Sequence, residues 1–220
     1  MEQWLIILPI LLFSVVIHEC AHAIAAERAG DPTARLMGRI TLNPVPHIDP
    51  IGSILVPVLL IVTNSTFFFA WAKPVPVNPY NFRNPRRDDI IVSFAGPLSN
   101  LILAVVFALL LLAVIVFVPA ARELSFWQSN YFQLFKYAIW INLILAFFNL
   151  IPIPPLDGSH ILRGILPPEA ARKYDSIQPY GFIILLAAIY FNLLAIFFLP
   201  ARILFEGLMK MVLALGSLVI

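Results

Sequence analysis

The stretch His18-Glu19-Cys20-Ala21-His22 lies inside an apolar run that begins at Trp4 and reaches Ala26. On a helix, positions i and i+4 share a face, so His18 and His22 can turn both imidazoles toward one metal ion. Glu19 then stands about 100° round the helix, placed to act as a base toward water at that ion. The apolar surroundings make this more than a chance spacing. A carboxylate at the centre of a membrane helix costs roughly 2.5–3.5 kcal/mol on the insertion scale, so ionisable groups there point to function.

The rest of the chain agrees with a membrane setting. Of 220 residues, 61% are hydrophobic and 12% charged, and the mean hydropathy of +0.93 is far above that of a soluble domain. Charge-free windows run over residues 3–18, 50–72, 90–121, 137–156 and 176–201, with 203–220 a weaker sixth. A bilayer core needs about 20 apolar residues per helix, so the expected fold is an all-α polytopic bundle of five to six membrane segments. We read it as one membrane-embedded domain over residues 1–220. A net charge of +2 leaves no basic surface suited to nucleic acid. The single cysteine, Cys20, excludes an internal disulfide and reads as a small spacer, since i+2 from His18 points to another face. The first apolar segment lacks a basic start and carries the metal motif, so it reads as a resident helix rather than a signal peptide.

Along the chain, the first helix is expected to end near Gly30, before Asp31-Pro32. Residues 36–42, short and partly β-branched between turn residues, read as one or two strands beside the membrane. The three prolines of Asn43-Pro44-Val45-Pro46-His47-Ile48-Asp49-Pro50 exclude regular structure there. Residues 51–71 are apolar but hold a polar patch at Thr63-Asn64-Ser65-Thr66. If they span, the helices bearing His22 and Asp157 run antiparallel and the basic residues show no bias between faces. If they form a re-entrant hairpin, those helices run parallel and ten of fourteen Lys and Arg gather on one side, which the positive-inside rule makes cytoplasmic. Long helices are expected from Asp88 to about Val118 and from about Phe132 to Leu150, and another over residues 179–199, with residues 169–175 a polar connection. Pro200 then precedes an interfacial stretch striped by Arg202, Glu206 and Lys210.

Catalytic zinc typically takes three protein ligands, so a third is needed. Asp157 is the one acidic residue between Glu123 and Glu169, and it follows the break at Pro152-Ile153-Pro154-Pro155. Its alternative role is a helix N-cap. His47 and His160 compete for the ligand position.

Taken in order, His18-Glu19-Cys20-Ala21-His22, Gly96-Pro97-Leu98-Ser99-Asn100 and Asn149-Leu150-Ile151-Pro152-Ile153-Pro154-Pro155-Leu156-Asp157-Gly158 resemble the site-2 protease family of intramembrane zinc metalloproteases. The resemblance implies Zn2+ on His18, His22 and Asp157, Glu19 as catalytic acid/base, and Asn149 holding substrate or transition-state charge. It also implies cleavage of transmembrane protein substrates within the lipid bilayer of the cell membrane. A PDZ-like insertion found in many members is missing, which matches a compact subgroup carrying an Asn-Pro-x-x-His-x-Asp-Pro stretch. By β-addition, residues 36–42 could receive an unwound substrate, a surface hairpin being the plainer reading. Two other functions stay open from the residues: a metal or proton transporter, and an inactive homologue with a regulatory role.

Overall fold

The computed structural model describes residues 2–63 and 71–217. Helix α1 covers Glu2–Ala29 and closes on Gly30, whose φ of +113° places the left-handed residue expected past a helix end. Asp31 then turns the chain. It is fully buried, and its carboxylate accepts from the Thr33 N–H and hydroxyl, from the Asn78 N–H at 2.7 Å and from the Asn81 amide at 2.8 Å.

The expected strands at residues 36–42 are absent, and no strand occurs among the described residues. The four-residue helix α2, Thr33–Leu36, is followed by a turn at Met37-Gly38, with Gly38 at φ +66°. Three β-branched or leucine side chains in a row did not outweigh that turn, because no strand edge among the described residues is there for them to pair with. A π-helical turn, Pro50–Leu55, capped by the Asp49 carboxylate, continues into α3, Val56–Val62. The polar patch at residues 64–66 lies outside the described residues. The return of the chain is nonetheless clear. Trp71 N–H donates to Gly52 O at 3.1 Å and Ser53 Oγ donates to Trp71 O at 2.7 Å, so the segment leaves and comes back at one point. Gly52 and Trp71 therefore lie on the same side of the bundle.

Residues 71–78 are irregular and lead to α4, Pro85–Phe117. At 33 residues α4 is about 50 Å long, against a hydrocarbon core of about 30 Å, so its charged first turns project beyond the apolar layer. After a short helix α5, Leu124–Trp127, α6 runs over Asn130–Asn149. Helix α7, Asp157–Ile165, follows the proline break, and the expected polar connection proves to be a further helix, α8, Pro168–Asp175. The segment expected over residues 179–199 is divided: α9 covers Gly181–Tyr190 and α10 covers Ala195–Ser217. The break falls at Asn192, with φ +55°, whereas Pro200 sits inside α10. Pro200 costs α10 one main-chain bond without ending it, while the left-handed residue interrupts the helix outright.

Among the described residues three helices are long and apolar enough to cross a membrane: Trp4–Ala29, Pro85–Phe117 and Asn130–Asn149. A fourth span arises if Pro168–Tyr190 and Ala195–Ser217, bent by 68°, count together. The five to six membrane segments expected are not confirmed: among the described residues three helices, or four if the bent pair counts as one span, meet the length and composition needed. Multiple apolar helices make this a multi-pass membrane protein.

Contacts set the helix directions. Ser14 meets Asn142 while Asp157, just past α6, reaches His22, so α1 and α6 are parallel. His18 meets Asn100 and His22 meets Val92, so α4 runs opposite to both. An apolar core of Ala104, Ala108, Leu111 and Ile115 with Ile139, Leu143, Ala201 and Val212 joins α4, α6 and α10 at the end away from the histidines. Its alanines, fully buried, let the helices approach closely, which is how membrane helices gain packing energy.

Candidate metal centre

The α1 periodicity delivers His18 and His22 to one face, where both are buried. Asp157 reaches them from the first turn of α7. Its Oδ2 lies 3.1 Å from His18 Nε2 and 3.3 Å from His22 Nε2, and the two Nε2 atoms are 3.0 Å apart. Among the described residues these three form the one cluster of three ligating side chains. Asp157 does not serve as the N-cap: Leu156 occupies that position and no side chain caps the helix.

The donor roles decide what the cluster can hold. His22 Nδ1 is 2.7 Å from the Val92 carbonyl, which only accepts, so Nδ1 carries the proton and Nε2 presents a lone pair. His18 Nδ1 meets Asn100 Oδ1 at 2.6 Å, with the same consequence. Asp157 Oδ2 is buried and has no hydrogen-bond partner. Three electron-pair donors thus converge where nothing donates to them, an arrangement that a divalent cation satisfies. Tetrahedral zinc, with bonds of about 2.0–2.1 Å to nitrogen and oxygen, spaces its ligand atoms about 3.3–3.4 Å apart, close to the observed separations. The residues present therefore fit zinc.

Packing from neighbouring helices holds the geometry. A Cβ on Gly96 would lie 2.6 Å from His18 Nε2 and closer still to His22, so only glycine lets α4 cross the two rings. Helix α7 is gripped at both ends. Gly158 packs on the Leu150 and Ile151 carbonyls. At the other end the Arg86 guanidinium donates to Gly164 O at 2.5 Å, Ile165 O at 3.0 Å and Leu166 O at 2.9 Å, satisfying carbonyls that the helix leaves open.

Glu19 stands beside the cluster, and its Oε2 accepts the Val75 backbone N–H at 2.7 Å. The segment carrying Val75 is itself pinned, by Arg39 Nη2 donating to Lys73 O at 2.8 Å and by Lys73 N–H donating to His47 O at 2.9 Å. His18, Glu19 and Asn149 line a cavity of about 440 Å³ whose other walls, including Val15, Trp71, Phe148 and Phe182, are apolar.

The competing histidines lie elsewhere. His47 is fully buried with Nε2 donating to Thr41 O at 3.0 Å, and His160 pairs with Asp89 at 3.5 Å. Asn149 donates one amide N–H to Leu145 O at 2.9 Å. From the sequence, Asn100 was placed only within the motif Gly96-Pro97-Leu98-Ser99-Asn100 and neither Ser14 nor Asn142 was singled out, although a buried polar residue in an apolar helix is itself a signal.

The chain is similar to several known proteins. The model of peptidase family M50 matches residues 6–189. "Putative zinc metalloprotease YwhC" of Bacillus subtilis is 42% identical over 176 residues, covering 80% of this chain and 76% of its own. "Putative zinc metalloprotease Rip2" of Mycolicibacterium smegmatis is 35% identical over 173 residues, 79% of this chain, which spans 62% of that relative's length. "Zinc metalloprotease MJ0392" of Methanocaldococcus jannaschii is 25% identical over 175 residues, covering 80% of this chain and 37% of its own. No solved structure matches the chain. With three lone-pair donors meeting beside a glutamate, and with the family match running through all of them, the chain belongs to peptidase family M50, the site-2 protease family of zinc metalloproteases.

Proposed function

We propose that the chain hydrolyses peptide bonds in or next to transmembrane segments of membrane proteins, with His18, His22 and Asp157 holding zinc and Glu19 acting as general base. The observation that carries this reading is the convergence of the three ligand atoms at 3.0–3.3 Å beside Glu19, in a cavity otherwise walled by apolar side chains. Such walls suit an apolar substrate segment. When bound, zinc supplies Lewis acidity toward a peptide carbonyl and toward water.

The protein's own groups then do the following. Glu19 takes a proton from the attacking water as its oxygen bonds to the carbonyl carbon. It returns that proton to the amide nitrogen as the C–N bond breaks, leaving a carboxylic acid and an amine. The Val75 N–H keeps one carboxylate oxygen engaged and so limits the rotation of Glu19. Asn149 has a second amide N–H besides the one given to Leu145, available to a substrate carbonyl at the cavity wall.

Orientation follows from charge. Contacts of Arg39 with Lys73, of Arg83 with Ala29, of Arg86 with α7 and of Arg163 with Asp175 bring the basic residues around the zinc end together. These contacts support the reading in which ten of the fourteen Lys and Arg share that end, which the positive-inside rule would make cytoplasmic.

The deciding experiment uses purified chain in detergent or liposomes with a transmembrane peptide. Wild type is expected to cleave it, whereas Glu19→Gln retains zinc and does not. Cleavage by the Glu19→Gln protein at the wild-type rate would refute the assignment.

A further inference from the structure

The two histidines obtain their proton arrangement in different ways. His22 faces the Val92 carbonyl, a group that can only accept. His18 faces the side-chain amide of Asn100, which can present either its oxygen or its NH2. Something else must decide which end faces the ring. Resting on the zinc reading above, we propose that Asn142 together with Ser14 is the positioning element that sets the His18 tautomer through Asn100.

The chain of constraints begins at main-chain carbonyls, whose polarity cannot change. In α6, Asn142 Nδ2 donates to Ala138 O at 2.8 Å and to Ser14 Oγ at 2.9 Å. Its Oδ1 is thereby turned outward to Asn100. Asn100 Nδ2 donates to that oxygen at 2.9 Å and to Ser14 O at 3.2 Å. Both acceptors lie on one side of the Asn100 amide, so its Oδ1 must face His18, Nδ1 must carry the ring proton, and Nε2 is left as a lone pair. Turning the Asn100 amide over would set oxygen against two oxygens and NH2 against an N–H. Ser14, Asn100 and Asn142 all have 0% exposure, so water cannot rescue either contact. Three helices therefore share in one decision about a proton. Metal-binding histidines depend on such outer partners for their tautomer, and losing one typically weakens metal affinity about 10–100-fold.

The relay predicts coupling that a packing role does not. Zinc affinity of the full detergent-solubilised chain would be measured by competition with a chromogenic chelator. Asn142→Leu is expected to weaken zinc about tenfold. In the Asn100→Asp background the carboxylate accepts from His18 whichever way it turns, and its other oxygen faces the acceptors Asn142 Oδ1 and Ser14 O, so adding Asn142→Leu is expected to cause no further loss of zinc affinity. An equal loss in both backgrounds would show Asn142 to be a packing residue only, and wild-type affinity in Asn142→Leu would likewise overturn the proposal. A measurement on unmutated protein guards against a variant that fails to fold. In 15N-histidine spectra of the zinc-loaded wild type, with His18 assigned through His18→Gln, a protonated Nδ1 and a metal-bound Nε2 are expected, and a protonated Nε2 would overturn it. His18→Ala separates the two readings. If it binds zinc as wild type does, the metal assignment itself falls. If it loses zinc while Asn142→Leu keeps it, the relay alone falls.

Discussion

Glu19 and Val75, 56 residues apart in sequence, are joined by a 2.7 Å hydrogen bond from a main-chain N–H to a carboxylate oxygen. Val75 lies between Pro74 and Pro76, neither of which has an N–H, so this donor has no immediate neighbour to replace it. Val75→Pro would remove the donor and keep an extended conformation compatible with both flanking prolines. We expect kcat for a transmembrane peptide to fall about tenfold, with zinc content unchanged, because a charged group's hydrogen bond is worth about 1.5–3 kcal/mol and orientation of a base is rate-determining. Equal kcat in the variant would mean that Glu19 is held sufficiently by its own helix.

Metal analysis of purified variants separates ligands from bystanders. His18→Ala, His22→Ala and Asp157→Ala are each expected to lose stoichiometric zinc, since each removes one of three converging atoms. His47→Gln and His160→Gln are expected to retain it, because both side chains are engaged elsewhere. Full zinc in Asp157→Ala would require a different third ligand.

Gly96→Ala is a change of one methyl group with a large expected result. The new carbon would overlap both imidazoles, and backbone on α4 cannot give way as a flexible side chain could. Zinc affinity should fall at least tenfold, on the scale of disturbed metal-site geometry. Gly207→Ala on α10, where a Cβ meets nothing within 4 Å, serves as the control and should bind zinc as wild type does.

Asp31 makes stability depend on acid. Burial raises its pKa, but the N–H of Asn78, the Thr33 hydroxyl and N–H and the Asn81 amide together outweigh burial and hold it below the usual carboxylate range. Between the folded value and the unfolded one of about 3.9, the unfolded chain binds the proton and the folded chain does not. Its contribution is therefore complete above the unfolded value and is lost as the pH falls toward the folded one. Denaturation midpoints in detergent should decline below about pH 4 more steeply for wild type than for Asp31→Asn. Parallel curves would show that another carboxylate governs acid lability.

Thiol labelling in a Cys20→Ser background tests the helix directions. Cysteines at Arg35 and Arg172 should label from one face of the membrane, and one at Ser125, past the far end of α4, from the other. Labelling of Arg35 and Arg172 from opposite faces would exclude parallel α1 and α6.

What the amino-acid sequence revealed depended on whether the signal was local. The histidine pair was legible because helix periodicity alone places it, and Asp157 because a third ligand was required and the apolar segments hold no other acid. Residues 36–42 misled, since β-branched side chains describe a preference that needs a partner strand, and none exists among the described residues. The break at Asn192 was hidden behind Pro200, the stronger residue for ending helices, because a left-handed asparagine has no fixed sequence mark. The Val75 contact was not legible at all: a main-chain N–H is common to nearly every residue, and only the fold brings this one to Glu19. Ser14, Asn100 and Asn142 were readable one by one as polar residues in apolar helices, but their order of bonding was not.

The junction of Trp71 with Gly52 has a mechanical meaning for the bundle. Because the chain is sealed there by two hydrogen bonds, whatever lies between is a closed appendage, and its length does not enter the spacing of α1 and α4. Doubling such a loop adds only about 0.6 kcal/mol of closure entropy. A longer or shorter stretch could therefore be grafted between Gly52 and Trp71 with His18, His22 and Asp157 left in register.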